Sequence, residues 1–112
     1  NTNCTNGTAT TLDSAGSVGL FTSITIGTDS LPIISYYDFT NSTLKVFHCA
    51  DTACTSGTAS TIGSITSGGD TGNYTSIAIG NDDSPIVSHQ EVANLRLMVA
   101  HLTTTVTGIA FG

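Results

Sequence analysis

Residues 19–49, GLFTSITIGTDSLPIISYYDFTNSTLKVFHC, align without a gap on residues 72–102, GNYTSIAIGNDDSPIVSHQEVANLRLMVAHL. The offset is 53, and 14 of 31 positions are identical, among them Gly19/Gly72, Ser23/Ser76, Ile24/Ile77, Ile26/Ile79, Asp29/Asp82, Pro32/Pro85 and Ser35/Ser88. The series continues through Asn41/Asn94, Leu44/Leu97, Val46/Val99 and His48/His101. Upstream, NTNCTNGTATTL at 1–12 matches DTACTSGTASTI at 51–62 with an offset of 50, and three extra residues in the loop Ser64–Thr71 reconcile the two offsets. A chain that repeats itself in register builds one supersecondary unit twice and stacks the copies. Repeat one is read as 1–50, repeat two as 51–103, and 104–112 as a terminal strand open to exchange between chains.

Each copy parses into four short strands. The first runs over Gly7–Leu12 and Gly57–Ile62, the second over Phe21–Gly27 and Tyr74–Gly80, the third over Pro32–Tyr37 and Pro85–Gln90. The fourth covers Leu44–Cys49 and Leu97–Leu102. Gly-Thr-Asp-Ser and Gly-Asn-Asp-Asp, between second and third strands, are tight-hairpin residues. Thr104–Phe111 reads as a surplus strand after the second copy. Composition agrees: Ser and Thr supply roughly 30% of the chain, well above ordinary usage, and β-branched residues and Gly outweigh helix formers. The expected class is all-β: two antiparallel four-stranded blades plus the surplus strand.

Charge narrows the partners. The net charge is −6, and Lys45 and Arg96 are the only Lys or Arg. Two isolated cations cannot replace the counterions of a polyanion, so neither nucleic acid nor an anionic membrane is expected as partner. No long apolar run predicts membrane insertion.

Alternation in the fourth strand places Leu44, Val46 and His48 on one face and Lys45, Phe47 and Cys49 on the other. Leu97, Val99 and His101 oppose Met98, Ala100 and Leu102 in the second copy. Apolar residues on both faces predict that each sheet is sandwiched between neighbours. The elements Gly19 to Asp38 and Asn41 to Thr55 resemble β-propeller-like repeats of large exported bacterial proteins. The resemblance implies stacked blades and export, and it implies no particular activity. The second copy departs from it at His89-Gln90 and in ending on Leu102 without a cysteine pair.

Closed propellers carry about four to eight blades, so two blades predict self-association. Head-to-tail contact closes into a ring or propagates into a filament, and a strand donated between subunits would complete a neighbour's sheet. The expectation is an extracellular or cell-surface structural protein that assembles with itself and is not an enzyme. The alternative is a lectin-like oligomeric propeller, with Tyr36, Tyr37 and Tyr74 as the whole tyrosine supply. A fragment of a longer propeller is a third reading.

Cys49 and Cys54 are spaced to close a local disulfide in an oxidising compartment. Cys4 aligns with Cys54 and is expected either as a thiol or in a disulfide with another chain. Sequons at Asn3, Asn6, Asn41 and Asn73 are glycosylation candidates. No zinc set accompanies the cysteines, and neither metal nor cofactor is expected. His48 and His101, equivalent across copies, are expected as buried imidazoles bonded to backbone, and His89 as a surface or interface residue. Asp29, Asp82 and Asp83 offer too few oxygens for calcium and read as turn formers. Ser23, Ser76, Ser35 and Ser88 lack a nucleophile elbow or an ordered triad.

Overall fold

The computed structural model of the protein describes residues 3–62 and 71–103. Among these are seven strands and no helix. Strands β1 (Val18–Ile26), β2 (Pro32–Asp38), β3 (Thr43–Cys49) and β4 (Gly57–Ile62) form one antiparallel sheet in sequential order. Strands β5 (Thr71–Ile79), β6 (Pro85–Glu91) and β7 (Arg96–His101) form a second, also sequential and antiparallel. The chain is all-β, as its repeats and composition imply.

The same local chemistry shapes both copies. Gly27 and Gly80 open the hairpin turns, accepting hydrogen bonds from Ser30 and Asp83 at 2.9 and 3.0 Å. Asp29 Oδ1 accepts the Leu31 amide, and Asp82 Oδ1 accepts the Ser84 amide, so these acids brace the turns. Pro32 and Pro85 follow as first strand residues, where a missing N–H costs least. Left-handed backbone recurs at equivalent non-glycine positions: Phe21/Tyr74 (φ 54°/53°), Ser30/Asp83 (68°/67°) and Ser42/Leu95 (56°/55°). Such conformations cost roughly 1–2 kcal/mol each for non-glycine residues, so their repetition marks required geometry.

The Phe21/Tyr74 case has a visible reason. Register shifts interrupt β1–β2 between Leu20 and Ser23, and β5–β6 between Asn73 and Ser76. The bulge in β1 turns the Phe21 carbonyl out of the ladder, where it accepts a hydrogen bond from Thr75 Oγ1 of β5 at 2.6 Å.

Strand β5 is the seam between the sheets. Thr75 Oγ1 also meets Ser35 Oγ at 2.8 Å in a buried contact. The Ile77 amide donates to Ser23 Oγ at 3.2 Å, and the Thr71 amide to the Ser42 carbonyl at 3.3 Å. Gly72 lies so close to β3 that a Cβ there would stand 2.7 Å from Leu44 Cα, and its φ of +112° suits glycine alone. Around this seam Ile33, Leu44, Val46, Ile77, Val87 and Leu102 form the main core, flanked by Ile62, Ile79 and Ala100.

Pairing separates the faces. Ser23, Ile33, Ser35, Leu44 and Val46 lie on the face of the first sheet that meets β5. Ile34, Tyr36, Phe47 and Cys49 lie on its other face, against Leu12, Val18 and Cys54. Val87 and Ile77 show that the second sheet meets the first with the side equivalent to Ile34 and Ile24. One sheet's front therefore packs on the next sheet's back.

Two expectations about strands are corrected. Gly57–Ile62 does not open the second sheet; it pairs with β3 as the outer strand of the first, from Leu44↔Ile62 to Cys49↔Gly57. The first sheet thus runs past the sequence boundary between residues 50 and 51. Gly7–Leu12 is not a strand, and its residues up to Thr11 are exposed. Its counterpart β4 pairs with β3, the last strand of the repeat before it, and Gly7–Leu12 has no such strand pairing among the described residues. Thr104–Phe111 lies outside the described residues.

The seam predicts unequal costs for equivalent truncations. Leu44→Ala removes a side chain with no exposure from the core and should cost about 2–5 kcal/mol. Leu97→Ala removes one that is 81% exposed and should stay within about 0.5 kcal/mol. Urea unfolding of dilute protein measures both; equal losses would contradict the seam.

Candidate functional site

The residues that build the seam occur twice, and the second set is uncovered. Ile33, Leu44 and Val46 are fully buried, whereas their equivalents Ile86, Leu97 and Val99 are 36, 81 and 60% exposed. On the opposing side the asymmetry reverses: Ile77 is buried and its equivalent Ile24 is 60% exposed. Gly72 is buried against Leu44, while a Cβ at Gly19, with a similar φ of +99°, would meet nothing within 4 Å. Thr75 is buried and Thr22 exposed. The front of the second sheet and the back of the first thus carry, exposed, the equivalents of the seam's two sides.

Each half holds a cavity. One of about 210 Å³ lies on the back of the first sheet, lined chiefly by Leu12, Val18, Gly19, Thr22, Ile34 and Phe47. Another of about 330 Å³ lies by the front of the second sheet, lined by Tyr74, His89, Gln90, Leu95, Arg96 and Leu97.

Asp13 fixes one wall of the first cavity. Its Oδ2 accepts hydrogen bonds from Lys45 Nζ at 2.7 Å and Tyr36 Oη at 2.6 Å, and its Oδ1 from the Ala15 amide. The Lys45 bond, followed by that of Tyr36, lowers the Asp13 pKa to about 2. Burial, reinforced by the Asp13 carboxylate, raises the Tyr36 phenol above its ordinary range. This clamp holds Leu12 against Ile34 and Phe47 although residues 4–14 belong to no strand.

Cys49 and Cys54 form a disulfide with a Cα separation of 4.9 Å. Asp51 braces the loop by accepting the Thr55 amide at 2.7 Å and the Thr55 hydroxyl. Cys4 is exposed and adopts φ 55°, matching 54° at its counterpart Cys54. Asn3, Asn6 and Asn41 are exposed; Asn41 Nδ2 donates to Asp38 Oδ2 at 2.9 Å. Asn73 is half-buried in β5, and its sequon hydroxyl, Thr75, is tied into the seam.

The histidines correct an expectation. His48 Nε2 meets Asp29 Oδ2, and His101 Nε2 meets Asp82 Oδ2, each at 2.7 Å. Both pin a turn acid to the end of the third strand of the sheet, and neither is a deeply buried imidazole, His101 being exposed. Burial would raise the Asp29 pKa, but the Leu31 amide and His48 outweigh it and hold it low. Asp82 is held low by the Ser84 amide and then by His101. The signal was present in the sequence, since both partners are identical in the two copies. His89 is buried, bonded through Nδ1 to Thr71 Oγ1 at 3.0 Å, and desolvation lowers its pKa. It is a seam residue and not a surface one.

Tyr36 and Tyr37 are 4 and 3% exposed and present no platform to a ligand. Among the described residues no three His, Cys, Asp or Glu are grouped to hold a metal ion, and no helix is long and apolar enough to cross a membrane. Comparison with protein-family models, curated proteins and solved structures yields no match.

The Asp13 clamp has a defined pH window. A folded pKa below the unfolded value of about 3.9 stabilises above that value and is lost as pH falls through the folded value of about 2. Asp13→Asn should release the segment at neutral pH. Nuclear magnetic resonance should show the Ala15 amide and Leu12 methyl shifts moving toward random coil in both cases, with β2 and β3 amides little changed. Unmoved Leu12 methyls in D13N would refute the clamp.

Proposed function

We propose that this protein is an extracellular structural subunit that assembles with copies of itself by propeller-like, head-to-tail stacking of its sheets. The observation that carries the reading is the complementarity of the two uncovered halves. Isolated exposed apolar residues are ordinary; here Ile86, Leu97 and Val99 repeat, residue for residue, a set buried elsewhere in the same chain. The contact is heterologous, front on back, so repetition produces a ring or an open filament.

The disulfide fits an oxidising setting outside the cytosol. Asn3, Asn6 and Asn41 are exposed, so three of the four sequons present an accessible glycan acceptor. The buried state of Tyr36 and Tyr37 weighs against the lectin-like alternative. The paired His–Asp contacts are explained by turn bracing, so an enzymatic reading gains nothing from them.

Sedimentation velocity across a wide dilution range, with negative-stain microscopy of the concentrated sample, tests the reading. Regular rings or filaments that dissociate on dilution are expected. A monodisperse monomer at every concentration would overturn it.

A further inference from the structure

The two cavities are lined by the equivalents of the two sides of the chain's own seam. Within the chain, Leu44 pairs with Ile62 and underlies Gly72. The equivalents of Ile62 and Gly72 are Leu12 and Gly19, and both line the 210 Å³ cavity. The equivalent of Leu44 is Leu97, standing 81% exposed on the opposite end of the molecule. Conversely, Phe21, Ser42 and Leu44 receive β5 at Thr75, Thr71 and Gly72. Their equivalents Tyr74, Leu95 and Leu97 line the 330 Å³ cavity.

Resting on the self-assembly reading, we infer that Leu97 of one copy seats in the Leu12–Gly19 cavity of a second copy, in the register that Leu44 adopts between Ile62 and Gly72. In this register Ser88 Oγ of the first copy meets Thr22 Oγ1 of the second, as Ser35 meets Thr75. Ser76 Oγ accepts the Ile24 amide, as Ser23 accepts that of Ile77. The Tyr74 carbonyl accepts Thr22 Oγ1, as Phe21 accepts Thr75. The polar groups brought together are thus paired, which a buried contact requires. Apolar cover comes from Ile24 and Ile34 laid over Val99 and Ile86.

The pattern of identity gives independent support. Nine of the 14 identical positions belong to the seam: Ser23/Ser76, Ile33/Ile86, Ser35/Ser88, Leu44/Leu97 and Val46/Val99 in front, and Gly19/Gly72, Thr22/Thr75, Ile24/Ile77 and Ile26/Ile79 behind. The other five are Gly27/Gly80, Asp29/Asp82, Pro32/Pro85, Asn41/Asn94 and His48/His101, which build the turns and their braces. Were only the internal seam needed, Leu97, Val99 and Ile86 would be free to become polar, and so would Ile24 and Ile26. They have kept seam identities on faces the single chain leaves bare.

Leu12 and Asp13 are part of the same device. Leu12 stands toward Ile34 as Ile62 stands toward Val87, and the Asp13 clamp keeps it there. The socket is therefore formed before a partner arrives, which reduces the ordering cost of association.

Cross-linking tests the register. In a Cys4→Ser background, a chain carrying Thr22→Cys and Ser88→Cys should, on mild oxidation, give a ladder of covalent multimers on non-reducing gels, collapsing on reduction. Either substitution alone should give no ladder. Leu97→Asp should raise the concentration needed for assembly roughly tenfold or more, with the urea midpoint of the dilute protein unchanged. If the double variant assembles by sedimentation yet gives no ladder, or if Leu97→Asp assembles like wild type, the register is wrong while self-assembly stands. If wild type stays monomeric throughout, both the register and the assembly reading fall.

Discussion

The seating of β5 on the first sheet is the constraint from which the rest of the molecule follows. Gly72 brings two backbones nearer than any side chain would allow, and Leu44 lies directly beneath it. That approach makes possible the hydrogen bonds from Thr75, Ile77 and Thr71 to Phe21, Ser23 and Ser42. Sheets packed face to face are ordinarily held by side-chain contact alone, about 10 Å apart. Here the contact is partly polar and directional, so it fixes both register and orientation. An apolar contact without such pairs would tolerate sliding; this one specifies which residue meets which.

Specificity at the seam explains why strain is accepted at Phe21 and Tyr74 and why left-handed glycine recurs at 19 and 72. In the first sheet the strained bulge serves a contact within the chain. In the second it shapes a face that no described residue of the same chain covers. Backbone held in an unfavourable conformation persists only where surrounding structure requires it, and under the proposed assembly the requirement at Tyr74 is the same joint repeated outward. The Asp13 clamp and the Asp29–His48 and Asp82–His101 braces then keep the hairpins and the cavity wall in position around that joint.

Much of the fold was legible from residues in register. The repeat, the positions of the seven described strands, the turn acids and the Cys49–Cys54 spacing all rest on local chemistry, and local chemistry is written in neighbouring residues. The placement of Gly57–Ile62 was not legible, because a strand's partner is a non-local choice: the segment opens the second sequence copy yet completes the first sheet. Gly7–Leu12 has nearly the same sequence and no strand structure, so propensity alone does not decide whether such a segment becomes a strand. The His–Asp pins were missed for a different reason. Equivalence across copies signalled architecture correctly, but the partner lay 19 residues away on a turn already explained by its own backbone bonds. Nor could alternation alone tell which apolar faces would be bare, because it marks both faces of each sheet equally.

The proposed assembly rests on a repeat that docks on itself within the chain and leaves equivalent faces bare. The direct test is a structure of the assembled material by electron cryomicroscopy. The rotation and translation that take the first sheet onto the second within a subunit should also take the second sheet onto the first sheet of the next subunit, so that sheets rather than chains are the repeating unit. An assembly in which Leu97 and Val99 remain in solvent, or in which the step between chains differs from the step within them, would contradict this account.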